Sequence, residues 1–572
     1  MATLAEKIST PIEKDSVQEK KSIHDGAQHD TLNPHRRSFA DAWTHSAYVK
    51  ESLHPNANHH HHHHHHRPSQ VEEGPFPEHV FASHLVDEDL EARSESSLED
   101  SHDPFLVQFT ENDKENPRNY SPGRKWFITV FTAVLCFAVS IGSSMPTGDL
   151  KGAAEELGVA TVPINLSITL FVAGFGFGPL FFAPLSEVYG RWIIYIISGF
   201  LYFIFTLPSA VAPNLATLLA SRMIAGLAAS VPMTNVGGTL SDIWKPEEKG
   251  LPMAIFSSVL FIGPSAGPLI GGAIAVGTSI ERGWRYIYWT LFTFVGIVWI
   301  VSLFTSETLA PIILKKRAKK LRKETGDDRY KTAQEKEPMD FREVLTVSLL
   351  RPLEMLVMEP ILIAFSLYLC LVYALLYLMF FAYPIIFEEG HGFNPLQVGL
   401  CFISLIIGIL LSITFVWLVT EPLTKRRIEA RGYPVPEDRL LLMFVGAIAL
   451  PISLFILAWT SMPSVHWSGA LVAGMPTGAS FVMLYISANS YLVDCYPKVA
   501  ASALAAKTLL RSLCGAAVPL FVFQMFHAMH NQWALTLLAL VSVLMAPIPF
   551  FFFKYGPMMR EKSRFASGDK DY

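Results

Sequence analysis

Twelve apolar runs of roughly 20 residues, spaced between residues 126 and 553, constrain this 572-residue chain more than any other feature. At 1.5 Å per residue such a run spans about 30 Å as a helix, the thickness of a bilayer's hydrocarbon core. Hydrocarbon offers the backbone no partner, so each run must satisfy its own N–H and C=O groups, and a helix does so. The runs lie at 126–147, 161–183, 192–212, 215–238, 251–276, 284–305, 360–386, 396–419, 439–461, 467–490, 500–523 and 531–553. A polar connection, 306–359, splits them six and six. Charged residues make up only 17% of the chain, against about 25% in soluble domains. The expected fold is an all-α integral membrane protein of twelve transmembrane helices in two six-helix halves, with a disordered cytosolic N-terminal tail.

The expected divisions are a tail at 1–124, a first half at 125–305, a central cytosolic loop at 306–359, a second half at 360–555 and a short C-terminal tail at 556–572. The N-terminal stretch lacks a sustained apolar period and is rich in polar residues, the composition of a chain that buries no core. Met1–Lys21 is polar and charged, so no cleavable signal peptide is expected. The histidine tract His59–His66 reads as a low-complexity run rather than an internal tag or a metal buffer. Ser94, Ser96 and Ser97, beside Glu99 and Asp100, are formal phosphorylation candidates. The net charge of −5 says little, because the acids concentrate in the tail. Cys136, Cys370, Cys401, Cys495 and Cys514 all fall in apolar runs and read as small core residues.

Lysine and arginine set the orientation. One set of loops holds Arg191, Lys245, Lys249, the run Lys315–Lys320, Lys425, Arg426, Arg427 and Lys498, whereas the opposite set holds Lys151, Arg282 and Arg285. Both termini are therefore expected in the cytosol. Neither a phosphate-binding loop nor a metal cluster nor a catalytic constellation is visible, so no cofactor, no nucleic-acid partner and no enzymatic activity are expected. Asn165-Leu166-Ser167 matches a glycosylation acceptor but lies inside a helix and is set aside.

Within the fifth run, Gly263, Gly267 and Gly271 recur every four residues and form a ridge without side chains. Such a ridge lets a neighbouring helix approach to backbone contact. Pro264 and Pro268 each remove a backbone donor from the same stretch. Together Gly263, Gly267, Pro268, Gly271 and Gly272 resemble the antiporter motif G-x-x-x-G-P-x-x-G-G of major facilitator drug:proton exporters. Between the second and third runs, Gly178 to Arg191 resembles the facilitator signature as fungal exporters write it, A-P-L-S-E-x-x-G-R. There Gly178, Glu187, Gly190 and Arg191 are implied to form a cytosolic clamp on helix ends. Glu187 replaces the usual Asp, and Trp192 stands where a further basic residue is common.

Arg222, inside the fourth run, costs several kcal/mol in a membrane and marks a functional site unless it snorkels to the surface. With Gly226 it is similar to the family's R-x-x-x-G, whose arginine is linked to proton coupling. A guanidinium stays charged, so its expected part is to tune a nearby carboxylate or polar pair. In the eleventh run Lys507 and Arg511 share a helix face. This stretch resembles fungal exporters of the polyamine and multidrug branch, with Lys507 in place of the usual Asn. Lys507 either faces the substrate, favouring anionic or hydroxyl-rich compounds, or pairs with an acid such as Asp494; both readings stand. Glu115–Tyr120 and Asn489–Asp494 support the same branch, and Asn489 and Tyr377 join Lys507 and Arg511 as substrate-cavity candidates.

The resemblance, covering 115–560, implies a secondary-active, proton-antiporting efflux pump of a plasma membrane, monomeric, with protons, lipid and a small molecule as its partners. Implied cargoes are secondary metabolites such as amphiphilic glycolipids or organic acids, drugs, or alternatively polyamines. A transporter-like receptor is the competing class.

Overall fold

The computed structural model describes residues 105–566 except 111, 246–247, 249, 279–282, 337–340 and 434. All belong to one compact unit, Val71–Tyr572; the other unit, Met1–Gln70, lies outside the described residues. His59–His66, Ser94, Ser96, Ser97 and Arg282 also lie outside them.

The first half contains α1 (Pro122–Ser144), α2 (Thr161–Tyr189), α3 (Arg191–Ala210), α4 (Leu215–Ile243), α5 (Gly250–Gly277) and α6 (Gly283–Ser302). The second half opens with α7 (Pro360–Tyr383), α8 (Pro395–Phe415), α9 (Leu440–Thr460) and α10 (Ser468–Cys495). It ends in a 63-residue helical run, Ala500–Lys562. At 1.5 Å per residue that run is about three bilayer cores long. His530, at φ 63°, breaks it, leaving two spans: α11 (500–529) and α12 (531–562). Among the described residues eleven helices are thus long and apolar enough to cross a membrane, and the break in the last gives twelve spans.

Local chemistry places the ends. Asn214 accepts from the Thr217 amide at 2.9 Å to cap α4, and Asn394 with Gln397 forms a reciprocal capping box on α8. Gly190, at φ 103°, breaks α2 from α3; a Cβ there would also collide with the Glu307 carboxylate. The signature stretch, expected between two helices, therefore belongs mostly to the last turns of α2, because Pro179 and Pro184 are accommodated without ending the helix.

Inside the first half α2 packs on α4, α1 on α5, and α3 on α4 and α6; inside the second α7 packs on α11, and α10 on α8 and α9. Two seams join the halves, α2 on α11 and α5 on α8. These pairs exchange under a two-fold relation of the halves, as an axis along the membrane normal requires. Large exposed apolar residues, such as Phe200, Ile297, Ile452 and Leu540, lie on α3, α6, α9 and α12, a surface suited to hydrocarbon. The cysteines are free and four of the five are buried.

The polar connection is itself helical over Ala310–Thr325, Ala333–Lys336 and Phe341–Met358. Residues 105–110 and 112–121, assigned to the tail from their polarity, include several that pack against it. Val107 N donates to Lys331 O at 3.0 Å, and Arg317 reaches Asp113 at 2.5 Å and Glu115 at 3.3 Å. The Arg317 guanidinium, with the Glu115 amide, holds the Asp113 carboxyl below its usual range.

Candidate functional site

The turn Ser140-Ile141-Gly142-Ser143-Ser144-Met145, closing α1, is where separate elements meet. Four of its six residues are Ser or Gly, so three neighbours approach it closely. From α4, the Arg222 Nη2 donates to Gly142 O at 2.9 Å and its Nε to Ser167 O of α2 at 3.1 Å. The guanidinium also lies 3.9 Å from the centre of the Phe171 ring. Arg222 is 1% exposed, so it does not snorkel. Among the described residues no carboxylate pairs with it; of the two kinds of partner expected, a carboxylate or a polar pair, it meets carbonyl oxygens, with the Phe171 face beside them. Gly226, one turn on, lets α4 lie against α2: a Cβ there would sit 2.8 Å from Phe171 Cα.

From α5, the glycine ridge seats on the same turn. A Cβ on Gly263 would meet Ser140 Cβ at 2.5 Å, one on Gly267 would meet Met145 N at 2.8 Å, and one on Gly271 would meet Gly148 Cα at 3.4 Å. Gly272 faces the other half, where its Cβ would lie 2.8 Å from the Pro395 carbonyl carbon. Pro268 lies inside the same helix, and its carbonyl oxygen would stand 2.8 Å from a Cβ on Gly399 of α8. The ridge is thus a seam on two sides.

From α7, Tyr377 donates to Ser143 Oγ at 3.0 Å, a hydrogen bond between the halves. Arg222, the ridge and Tyr377 therefore converge on one turn. The cluster of Ser and Gly at 140–144 was the only signal for that hub in the chain, and small residues alone do not announce what lies against them.

Lys507 and Arg511 stand on α11 behind the seam with α2, where a Cβ on Gly176 would meet Leu509 O at 3.3 Å. Lys507 is 2% exposed and donates to Asn489 Oδ1 of α10 at 2.5 Å. Asp494, the alternative partner, instead engages Arg439 at 2.9 Å. The Tyr485 ring carries both cations, Lys507 at 4.9 Å and Arg511 at 5.2 Å, and Arg511 also lies 4.4 Å from the Tyr373 ring.

Of the clamp candidates, Glu187, Gly190 and Arg191 lie at the end of α2, whereas Gly178 lies mid-helix, where a Cβ would meet Leu227 O of α4 at 2.7 Å. Arg191 donates from Nη1 to Ser186 Oγ at 3.0 Å and pairs with Asp242, at the end of α4, at 3.5 Å. Glu307, just beyond α6, accepts the amides of Arg191 at 3.0 Å and Trp192 at 3.3 Å, which caps α3. Asp242 and Glu307 escaped the sequence reading, because nothing in their spacing reports that three helix ends meet. Asn165, set aside as a glycosylation acceptor, is buried in α2 and donates to Pro519 O of α11 at 2.9 Å.

The sequence profile of the Major Facilitator Superfamily matches residues 130–519. The transporter paaT of Penicillium rubens is 44% identical over 82% of this chain and 84% of its own. Polyamine transporter 3 of Saccharomyces cerevisiae is 40% identical over 80% of this chain and 73% of its own. The proton:xylose symporter XylE of E. coli superposes with a TM-score of 0.56 over 77% of this chain and 97% of that one, at 15% identity, a likeness of fold.

Proposed function

Because the chain belongs to the major facilitator superfamily, we propose that it is a secondary-active efflux pump. Protons moving in drive a small organic compound out. The cargo we infer is a secondary metabolite, such as an amphiphilic glycolipid or an organic acid, or a drug. The observation that carries this reading is the convergence of Arg222, the α5 ridge and Tyr377 on one turn of α1. An exchanger must pass two solutes without leaking either, so its halves need a close seal that can part and reform. A ridge of bare backbone gives that seal, and Arg222 gives it a charge whose partners lie on two other helices.

In this reading Arg222 and Gly226 couple α4 to α1 and α2, while Gly263, Gly267, Pro268, Gly271 and Gly272 seal the seam. Glu187, Gly190 and Arg191 clamp the far ends of the helices, with Gly178 holding α2 close to α4, and Lys507, Arg511, Asn489 and Tyr377 face the cargo. Lysine and arginine enrichment on the face bearing Arg191, the connector and Arg427 supports a plasma-membrane orientation with both termini in the cytosol. The pump acts as a monomer. A second reading, polyamine export, is favoured by the similarity to a protein named for polyamines; two buried cations at the cargo site speak against it.

The test is flux in everted membrane vesicles with an imposed pH gradient, using the compounds that a deletion strain fails to release into its medium. Uptake that collapses with the gradient is the expected outcome. Gradient-independent binding without movement would overturn the pump in favour of a receptor.

A further inference from the structure

Two positive side chains share one buried aromatic face, and among the described residues no carboxylate pairs with either. Lys507 is held by a neutral amide, Asn489 Oδ1, at 2.5 Å. Arg511 is 7% exposed, and its Nε is buried with no hydrogen-bond partner. A buried cation is expensive unless paired. Tyrosine faces offset part of that cost, and an orphaned guanidinium N–H adds to it. Two like charges on one ring add repulsion as well. A protein that only needed packing here would use apolar side chains.

From the other half, Phe261 of α5 meets Tyr485 edge-on at 4.9 Å, so parting of the halves would separate the two rings.

We propose that this is the docking site for an anionic head group: Arg511 and Lys507 bind a carboxylate, phosphate or sulfonate on the exported molecule, whose apolar body lies against Tyr373, Tyr485 and Phe261. The guanidinium fork suits two anion oxygens, and the ammonium supplies a second positive charge one helical turn away. The orphaned Nε gains its acceptor only when cargo is bound. The inference rests on the efflux reading for the word cargo, though anion binding itself needs no gradient.

The test uses the full chain in neutral-lipid nanodiscs and reads thermal unfolding with three probe sets: octanoate, cholate and octyl phosphate, each beside its uncharged amide or alcohol, with octylamine as the cation. The anions are expected to stabilise the wild type, and the neutral and cationic probes are not. Arg511→Gln and Lys507→Gln should each raise the half-saturating anion concentration about tenfold, as the loss of one buried charged contact does. Lys507→Arg, which keeps the charge, should restore binding. Stabilisation by octylamine equal to that by octanoate, anion effects that survive in the Gln variants, or no shift with any anion would each overturn the proposal. Anion binding by a chain that moves nothing under a pH gradient would overturn the pump and leave the anion site standing.

Discussion

At Gly267 the difference between a glycine and any other residue is the difference between contact and collision, because Ser144 and Met145 already occupy the space of a Cβ. Gly267→Leu should insert into the membrane and reach the cell surface in ordinary amounts, with export per molecule abolished. Overpacking of about 1–3 kcal/mol falls on a seam that must close rather than on a static core. Normal flux from a well-expressed variant would remove the ridge from the mechanism. Arg222 allows a sharper substitution. Lysine keeps the charge but cannot reach Gly142 O and Ser167 O from one planar group while stacking on Phe171. Losing one charge-assisted bond, about 1.5–3 kcal/mol, should lower gradient-driven efflux by about tenfold or more in Arg222→Lys. Undiminished efflux by Arg222→Ala would make the arginine dispensable.

Among the elements, the face remote from the basic loops carries a latch between the halves. Lys151, between α1 and α2, meets Glu388, after α7, at 2.7 Å. Both side chains are partly in solvent, and such pairs contribute about 0.2–1 kcal/mol. Lys151→Ala should therefore leave thermal stability unchanged. It should raise labelling of Thr147→Cys by an impermeant maleimide up to about fivefold, and unchanged labelling would show that the latch does not bias opening. The twelve spans themselves were legible, because length and hydropathy are local properties. The joint at His530 was legible as well, because the apolar pattern lapses over 524–530, between the runs 500–523 and 531–553, although the helix itself continues to 529. Arg191 announced itself by charge, but Asp242 and Glu307 could be found only once α2, α3, α4 and the end of α6 were in place. Likewise the carbonyls that receive Arg222 carry no signature, since every residue has one. Residues 105–121 looked like tail because their ties to the connector are polar.

For the molecule as a whole, the connector and the segment before α1 form one body held by ion pairs. Arg317 keeps Asp113, and Arg322 keeps Glu335, below their ordinary carboxyl ranges. A lowered carboxyl pKa contributes stability above the unfolded value, about 3.9 for Asp and 4.3 for Glu, and loses it as pH falls through the folded value. Hydrogen-exchange protection of 105–120 and 310–336 should therefore be the same at pH 7 and pH 5 and fail only below about pH 4. A loss between pH 7 and 5 would contradict these ties. Removing residues 1–100 should leave transport per molecule intact, because their polar composition buries no core and no apolar run depends on them; lost activity in correctly placed truncated protein would give the tail a part in transport. The buried arginine of α4 also bears on biogenesis. A ribosome delivers α1 and α2 to the bilayer before α4 emerges, so Gly142 O and Ser167 O are already waiting when the guanidinium enters. Synthesis in this order spares the nascent chain a span whose charge has no acceptor, whereas a circular permutant that began at α3 would expose Arg222 to lipid until its last helices were made.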